Sequence, residues 1–170
     1  MIDIETIKDN VSSLSKKFSG LNIDSIFLEQ DGKLDKVFYN EECLHELRSC
    51  SKLLVAMAIG IAIEKGMITL DTFIYPSIKD IIEKIKKWKI KELLTHTTGY
   101  ESQMMSERFI KDIDEDKLLD YALNYDIPYD VGTRFAYNNV EPFVLSVFFQ
   151  ETFGINLTDF INENIFKKLD

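Results

Sequence analysis

One pair of strand-like stretches joined by an Asp-Gly turn precedes a long run of helical pattern, and this imbalance limits what the chain can fold into. Ser25–Gln30 reads as a strand, Asp31-Gly32 as a two-residue hairpin turn, and Leu34–Tyr39 as the returning strand. A lone two-stranded hairpin is marginal in water and needs further strands or a covering helix. No third strand of comparable quality follows. Either the first helix covers the hairpin or the rest of a sheet is missing from these residues.

The helical pattern is read from apolar spacing. Ile4, Ile7, Val11, Leu14 and Phe18 mark an amphipathic helix ending near Gly20. A second helix is expected from near Ser49 to about Lys65, with Gly66 as its C-terminal cap. Its body, Leu53 to Ile63, is apolar on nearly every side, which predicts a central buried helix. Beyond Pro76, helical patterns occur at Ile78–Ile85, Lys91–Thr95, Asp114–Tyr125, Val140–Phe153 and Thr158–Leu169. Pro128 to Gly132 reads as a loop and Arg134–Tyr137 as extended. There is no repeat, low-complexity segment or linker.

Composition narrows the function classes. A chain of 170 residues with 45% hydrophobic and 29% charged residues can build one domain with a real core. Its formal net charge of −9 argues against nucleic acid, whose phosphates need a basic face, and against anionic membranes. The Leu53–Ile63 stretch is far shorter than the ~20 residues that span a bilayer. The acidic start, Met1-Ile2-Asp3-Ile4-Glu5, has none of the basic character of a secretory signal. With Cys43 and Cys50 alone, a disulfide scaffold is not expected, and reduced thiols in a cytoplasmic protein are the simplest reading. No metal-ligand spacing and no phosphate-binding glycine loop occurs, so neither metal nor cofactor is expected.

Chemistry could reside in Ser49-Cys50-Ser51-Lys52. A serine hydroxyl is a poor nucleophile until a base takes its proton. Three residues along a helix place Lys52 on the face of Ser49, one turn away, and burial would favour its neutral, basic form. At a helix N-terminus, backbone N–H groups and the dipole favour a developing oxyanion. Taken alone, an N-cap serine beside a solvated lysine explains the four residues better, and Ser13-Leu14-Ser15-Lys16 matches the same spacing mid-helix on a surface segment. Tyr137-Asn138-Asn139 is a second candidate: a phenol beside an ammonium can act as a base, and an asparagine can position a lysine or accept a substrate N–H. On its own it reads as a turn. His96, within Leu93–Gly99, reads as a structural histidine at a helix end.

Together these segments resemble the β-lactamase-related serine hydrolases, which include class C β-lactamases, D-Ala-D-Ala carboxypeptidases, D-aminopeptidases and esterases. Arg48–Lys52 followed by Glu64–Asp71 resembles the family's active-site helix. Leu93–Gly99 resembles its Leu-Leu-Thr-His-Thr-Ser-Gly segment, and Gly132–Asn139 its Pro-Gly-x-x-Phe-x-Tyr-Ser-Asn segment. Phe160–Leu169 resembles the helix before its Pro-Leu-Gly-Met, and the hairpin its first two strands. The likeness spans residues 24–170. The sequence departs from the pattern at Val131, where proline is usual, at Asn138, where serine is common, and at Glu141-Pro142, where small residues are usual.

The resemblance implies an α+β, β-lactamase/transpeptidase-like fold, predominantly helical, with only the first strands of the antiparallel sheet present. It implies one incomplete domain over 1–170: an N-terminal helix in 1–23, the hairpin in 24–40 and a helical region in 41–170. Ser49 would form an acyl-enzyme on an ester, amide or β-lactam, Lys52 and Tyr137 would share the general-base role, and Asn139 would position the substrate or Lys52. The expected partner is a small-molecule or peptide-like acyl substrate. The family's later strands, with a Lys/His-x-Gly motif and a second oxyanion N–H, have no counterpart here. The chain alone is therefore expected to be feeble or inactive unless a second chain or self-association completes it. The alternative is a non-catalytic remnant or binding module of the same family.

Overall fold

Asp31 and Gly32 both adopt positive φ, 53° and 74°, which is the backbone a two-residue turn needs to match the twist of its flanking strands. The turn joins strand β1 (Ser25–Gln30) to strand β2 (Lys33–Phe38) in an antiparallel ladder pairing Ser25 with Phe38 and Gln30 with Lys33. The computed structural model describes residues 3–17, 23–41, 44–79 and 81–169, without the side chain of Ser15.

The chain forms two compact units, Met1–Glu46 and Leu47–Asp170. In the first, helix α1 (Ile4–Lys17) lies against β2. Asp3 caps α1 by accepting from the Thr6 amide at 2.9 Å and the Thr6 hydroxyl at 2.7 Å. The expected helix end near Gly20, like Cys43, lies outside the described residues. The second serine-lysine match, Ser13 to Lys16, sits on this helix with both end residues exposed. Among the described residues of this unit none is buried, and its sheet has two strands. The helix therefore borders the hairpin without giving it a core.

The second unit carries the core. Helix α2 (Ser51–Glu64) packs against α6 (Val140–Phe153) and α7 (Leu157–Asn164); the short helices α3 (Ile90–Leu94), α4 (Glu107–Ile110) and α5 (Leu118–Leu123) lie between α2 and α6 in the chain. Trp88 and Tyr100 anchor the interior, their rings edge to face at 5.2 Å. The Trp88 indole donates to the Thr98 carbonyl at 3.0 Å and the Tyr100 hydroxyl to the Ala122 carbonyl at 3.0 Å, so both polar tips are satisfied. Gly154, at φ 65°, stops α6 with a left-handed cap.

Two sequence expectations need correction. Helix α2 is buried along one flank, through Ala58, Ile59 and Ala62, while Leu53 and Met57 are 64% and 41% exposed. An apolar circumference states what a helix could bury, and only neighbours decide what it does bury. Among the described residues of the Ile78–Ile85 segment none is α-helical, and a single 3₁₀ turn, Ile85–Lys87, begins at its end. Ile74, Ile78, Ile81 and Ile85 all reach the core, but the backbone pairs sideways: the Ile74 amide donates to the Trp88 carbonyl and the Ile90 amide to the Thr72 carbonyl. Arg134–Tyr137 joins no sheet; the Ala136 amide donates to the His96 carbonyl, and the Tyr137 carbonyl accepts from the Gln103 amide.

Candidate active site

Ser49 does not open α2 itself. It lies in a single 3₁₀ turn, Arg48–Cys50, that runs directly into the helix. The turn begins with Arg48 at φ 49°, a left-handed conformation costly for a side-chain-bearing residue. The Ser51 hydroxyl donates to the Arg48 carbonyl at 2.7 Å, closing the turn from the side. Lys52 follows in the first turn of α2, and Nζ approaches Ser49 Oγ at 3.3 Å. That approach is local and follows from the three-residue spacing.

Long-range contacts complete the cluster. Lys52 Nζ donates to Asn139 Oδ1 at 2.7 Å and stands 5.1 Å from the centre of the Tyr137 ring. Asn139 is the residue preceding α6, and its side chain makes no capping bond. Instead its Nδ2 donates to the Met105 carbonyl at 3.0 Å, and its backbone amide donates to the Met104 carbonyl at 3.0 Å. Both side-chain ends of Asn139 are thus committed, one to the loop at 104–105 and one to Lys52. The Tyr137 phenol is held below its ordinary pKa, chiefly by the neighbouring Ser49 hydroxyl. Burial opposes this shift, and the nearby Lys52 ammonium reinforces it. Ser49, Lys52, Tyr137 and Asn139 are therefore gathered in one place. Ser49 and Tyr137 are exposed, and Phe135, two residues before Tyr137, is 65% exposed.

A second layer lies beneath Tyr137. The side chain of Glu141, in the first turn of α6, is fully buried. Oε1 accepts from the Thr98 hydroxyl at 2.6 Å and from Asn138 Nδ2 at 3.0 Å. Oε2 faces His96 Nδ1 at 3.1 Å. The His96 ring lies against Tyr137, centroids 5.3 Å apart, and edge-on to Phe135 at 5.9 Å. From the sequence, His96 reads as a structural histidine and Glu141 as a departure from the family pattern. The available signal is an acid in the first turn of a helix whose first two turns are otherwise almost wholly apolar, where burial demands a partner.

The two segments are also zipped by backbone. The Gly132 amide donates to the Thr97 carbonyl and the Tyr129 amide to the Gly99 carbonyl. Gly99, at φ 93°, allows this approach: a Cβ there would meet the Tyr129 carbonyl oxygen at 2.3 Å. Among the described residues, no group of three or more His, Cys, Asp or Glu could hold a metal ion, and no helix is long and apolar enough to cross a membrane.

Residues 31–170 match the family model described as Beta-lactamase. No curated protein matches the sequence. Among solved structures, a beta-lactamase/D-alanine carboxypeptidase from Pseudomonas syringae superposes with a TM-score of 0.76 at 22% identity, covering 96% of this chain and 48% of that one. A class C beta-lactamase gives a TM-score of 0.77 at 20% identity, covering 97% and 48%. The octameric penicillin-binding protein homologue from Pyrococcus abyssi gives 0.76 at 17% identity, covering 99% and 43%. At these identities the likeness is one of fold, and the chain spans about half the length of the structures it matches. The fold is β-lactamase/transpeptidase-like, α+β and mostly helical. With its family model matched from the hairpin turn to the last residue, the chain belongs to the beta-lactamase family.

Proposed function

We propose that Ser49 is the nucleophile of a serine hydrolase acting on an ester, amide or β-lactam. The reading rests on one observation: Lys52 Nζ bridges Ser49 Oγ and Asn139 Oδ1, with the Tyr137 ring 5.1 Å from the same ammonium. Lys52 and Tyr137 share the general-base role, and Asn139 holds Lys52 in register. Ser49 Oγ attacks the substrate carbonyl as its proton passes to the base. The leaving alcohol or amine takes that proton when its bond to the carbonyl carbon breaks. Water then attacks the acyl-Ser49 ester, releasing the acid and restoring the hydroxyl.

Each oxyanion donor is worth about 10²–10³ in rate. Within these residues the reading assigns one donor, the backbone N–H of Ser49, so turnover by the polypeptide alone is feeble. The second reading is a binding module of the same family without turnover. The exposure of Ser49, Tyr137 and Phe135 favours it, because a wet site weakens the electrostatics that acyl transfer relies on.

A fluorophosphonate, which needs little beyond an activated hydroxyl, separates the two. The hydrolase reading expects mass spectrometry to find the label on Ser49 and expects Ser49→Ala to abolish it. A label elsewhere, or equal labelling of the alanine variant, overturns the assignment. An unlabelled Ser49 in the folded chain favours the binding module.

A further inference from the structure

Glu141 occupies a position where the resembling family has small residues, and it is the acid of the first turn of α6. Burying an acid is costly unless every oxygen finds a partner. Here both oxygens do, and the three partners border the candidate site. Thr98 lies in the segment that zips to residues 129–136. Asn138 separates Tyr137 from Asn139 in the chain; its Nδ2 also reaches the Ala136 carbonyl at 2.9 Å, and its Oδ1 accepts the Val140 amide at 2.8 Å. His96 places its ring against Tyr137, tilted by 35°. Its backbone, at φ 52°, is itself left-handed, so the ring is presented by a conformation the surroundings must hold in place.

We propose that Glu141 is a positioning residue for Tyr137, fixing the His96 ring against the phenol and pinning Asn138 so that Tyr137 and Asn139 meet Ser49 and Lys52. The inference rests on the reading of Tyr137 as a base. Glu141 does not contact Ser49, Lys52 or Tyr137 directly and acts through His96 and Asn138. Without it, the His96 ring would lose the partner of Nδ1, and the Asn138 amide would lose one of its acceptors. Tyr137 would then keep its flanking backbone bonds, from the Ala136 amide to His96 and from the Gln103 amide to its own carbonyl, and the ties of Asn139 to Met104 and Met105, but not the buried carboxylate anchor of Asn138 and His96.

The test is the titration of Tyr137 in the full chain, read by NMR of tyrosine labelled at Cζ, alongside thermal unfolding. The groups bearing on that phenol are Ser49, Lys52, Cys50 and His96. In Glu141→Gln, which keeps the shape, the Tyr137 midpoint is expected to move up toward the ordinary tyrosine value as the phenol leaves Ser49 and Lys52. The fluorophosphonate labelling rate of Ser49 is expected to fall at least about tenfold, part of the ~10²–10⁴ that a positioned base contributes. A folded Glu141→Gln with midpoint and rate unchanged overturns the proposal and leaves Glu141 a purely structural residue. If that variant does not fold, His96→Phe keeps a ring against Tyr137 and removes Nδ1; a raised midpoint supports the proposal and an unchanged one overturns it. If the midpoint moves with Glu141→Gln while Ser49 reacts in neither chain, positioning stands and the nucleophile assignment fails.

Discussion

Lys52 Nζ donates a 2.7 Å hydrogen bond to Asn139 Oδ1, across 87 positions of sequence. The same asparagine donates to the Met105 carbonyl at 3.0 Å, so it holds the lysine and a loop together. Asn139→Ala removes the acceptor from Lys52 and leaves the Met105 carbonyl without this donor. A loss of about 1–3 kcal/mol is expected, read as a lower urea midpoint with an unchanged slope. Ser49 labelling should slow in the same variant. Unchanged stability and unchanged labelling together would show that the bridge contributes nothing.

Gly99→Ala should be among the most destabilising single changes in the chain. The residue sits at φ 93°, and an added Cβ would meet Tyr129 O at 2.3 Å and Ile127 Cγ2 at 2.9 Å. Left-handed strain and overpacking together predict a loss of roughly 2–4 kcal/mol. Circular dichroism melts would read this as a fall in Tm. A melt equal to that of the parent chain would mean that the 96–99 and 129–136 segments are not zipped as described.

Alkaline pH should destabilise the second unit through two tyrosines. Burial, more than the nearby Glu141, raises the Tyr100 phenol well above its ordinary value, and Tyr125 is pushed up to about 12, again chiefly by burial. A raised folded value means that the folded state keeps protons the unfolded chain releases. Their contribution is therefore intact below pH 10 and is lost as pH rises toward 12. Tyr137 has the opposite sign, since its lowered folded value adds stability only as pH climbs. Denaturation midpoints measured from pH 9 upward should fall for the parent chain and fall less for Tyr100→Phe. An equal fall in both chains would remove Tyr100 from the account.

The 170-residue polypeptide should self-associate. Leu53 and Met57 lie one turn apart on the open flank of α2, and β1 and β2 each have one partner strand among the described residues. Sedimentation velocity should show mass rising with concentration, and Leu53→Glu with Met57→Lys should shift the distribution toward monomer. A parent chain that stays monomeric throughout would contradict this.

Much of the fold was legible in local sequence because its determinants are local. The Asp31-Gly32 turn, strand β1 at Ser25–Gln30, and helix α6 at Val140–Phe153 with Gly154 behind it lie where periodicity and turn chemistry place them. The approach of Lys52 to Ser49 is equally local, since helical geometry alone puts residues three apart on one face. Tertiary structure decided the rest. Apolar spacing at Ile78–Ile85 predicts a helix that did not form: Ile78, Ile81 and Ile85 are buried and Ile82 is 44% exposed, while the chain on either side is tied by bonds between Ile74 and Trp88 and between Thr72 and Ile90. The one-sided burial of α2 depends on which neighbours arrive, and Leu53 does not encode its own exposure. The meeting of Tyr137 and Asn139 with Ser49 and Lys52, and of Glu141 with His96, Thr98 and Asn138, required loops distant in sequence to close on one another. Local spacing fixes which side chains share a face, whereas contacts across many residues exist only once the core around Trp88 and Tyr100 has drawn the segments together.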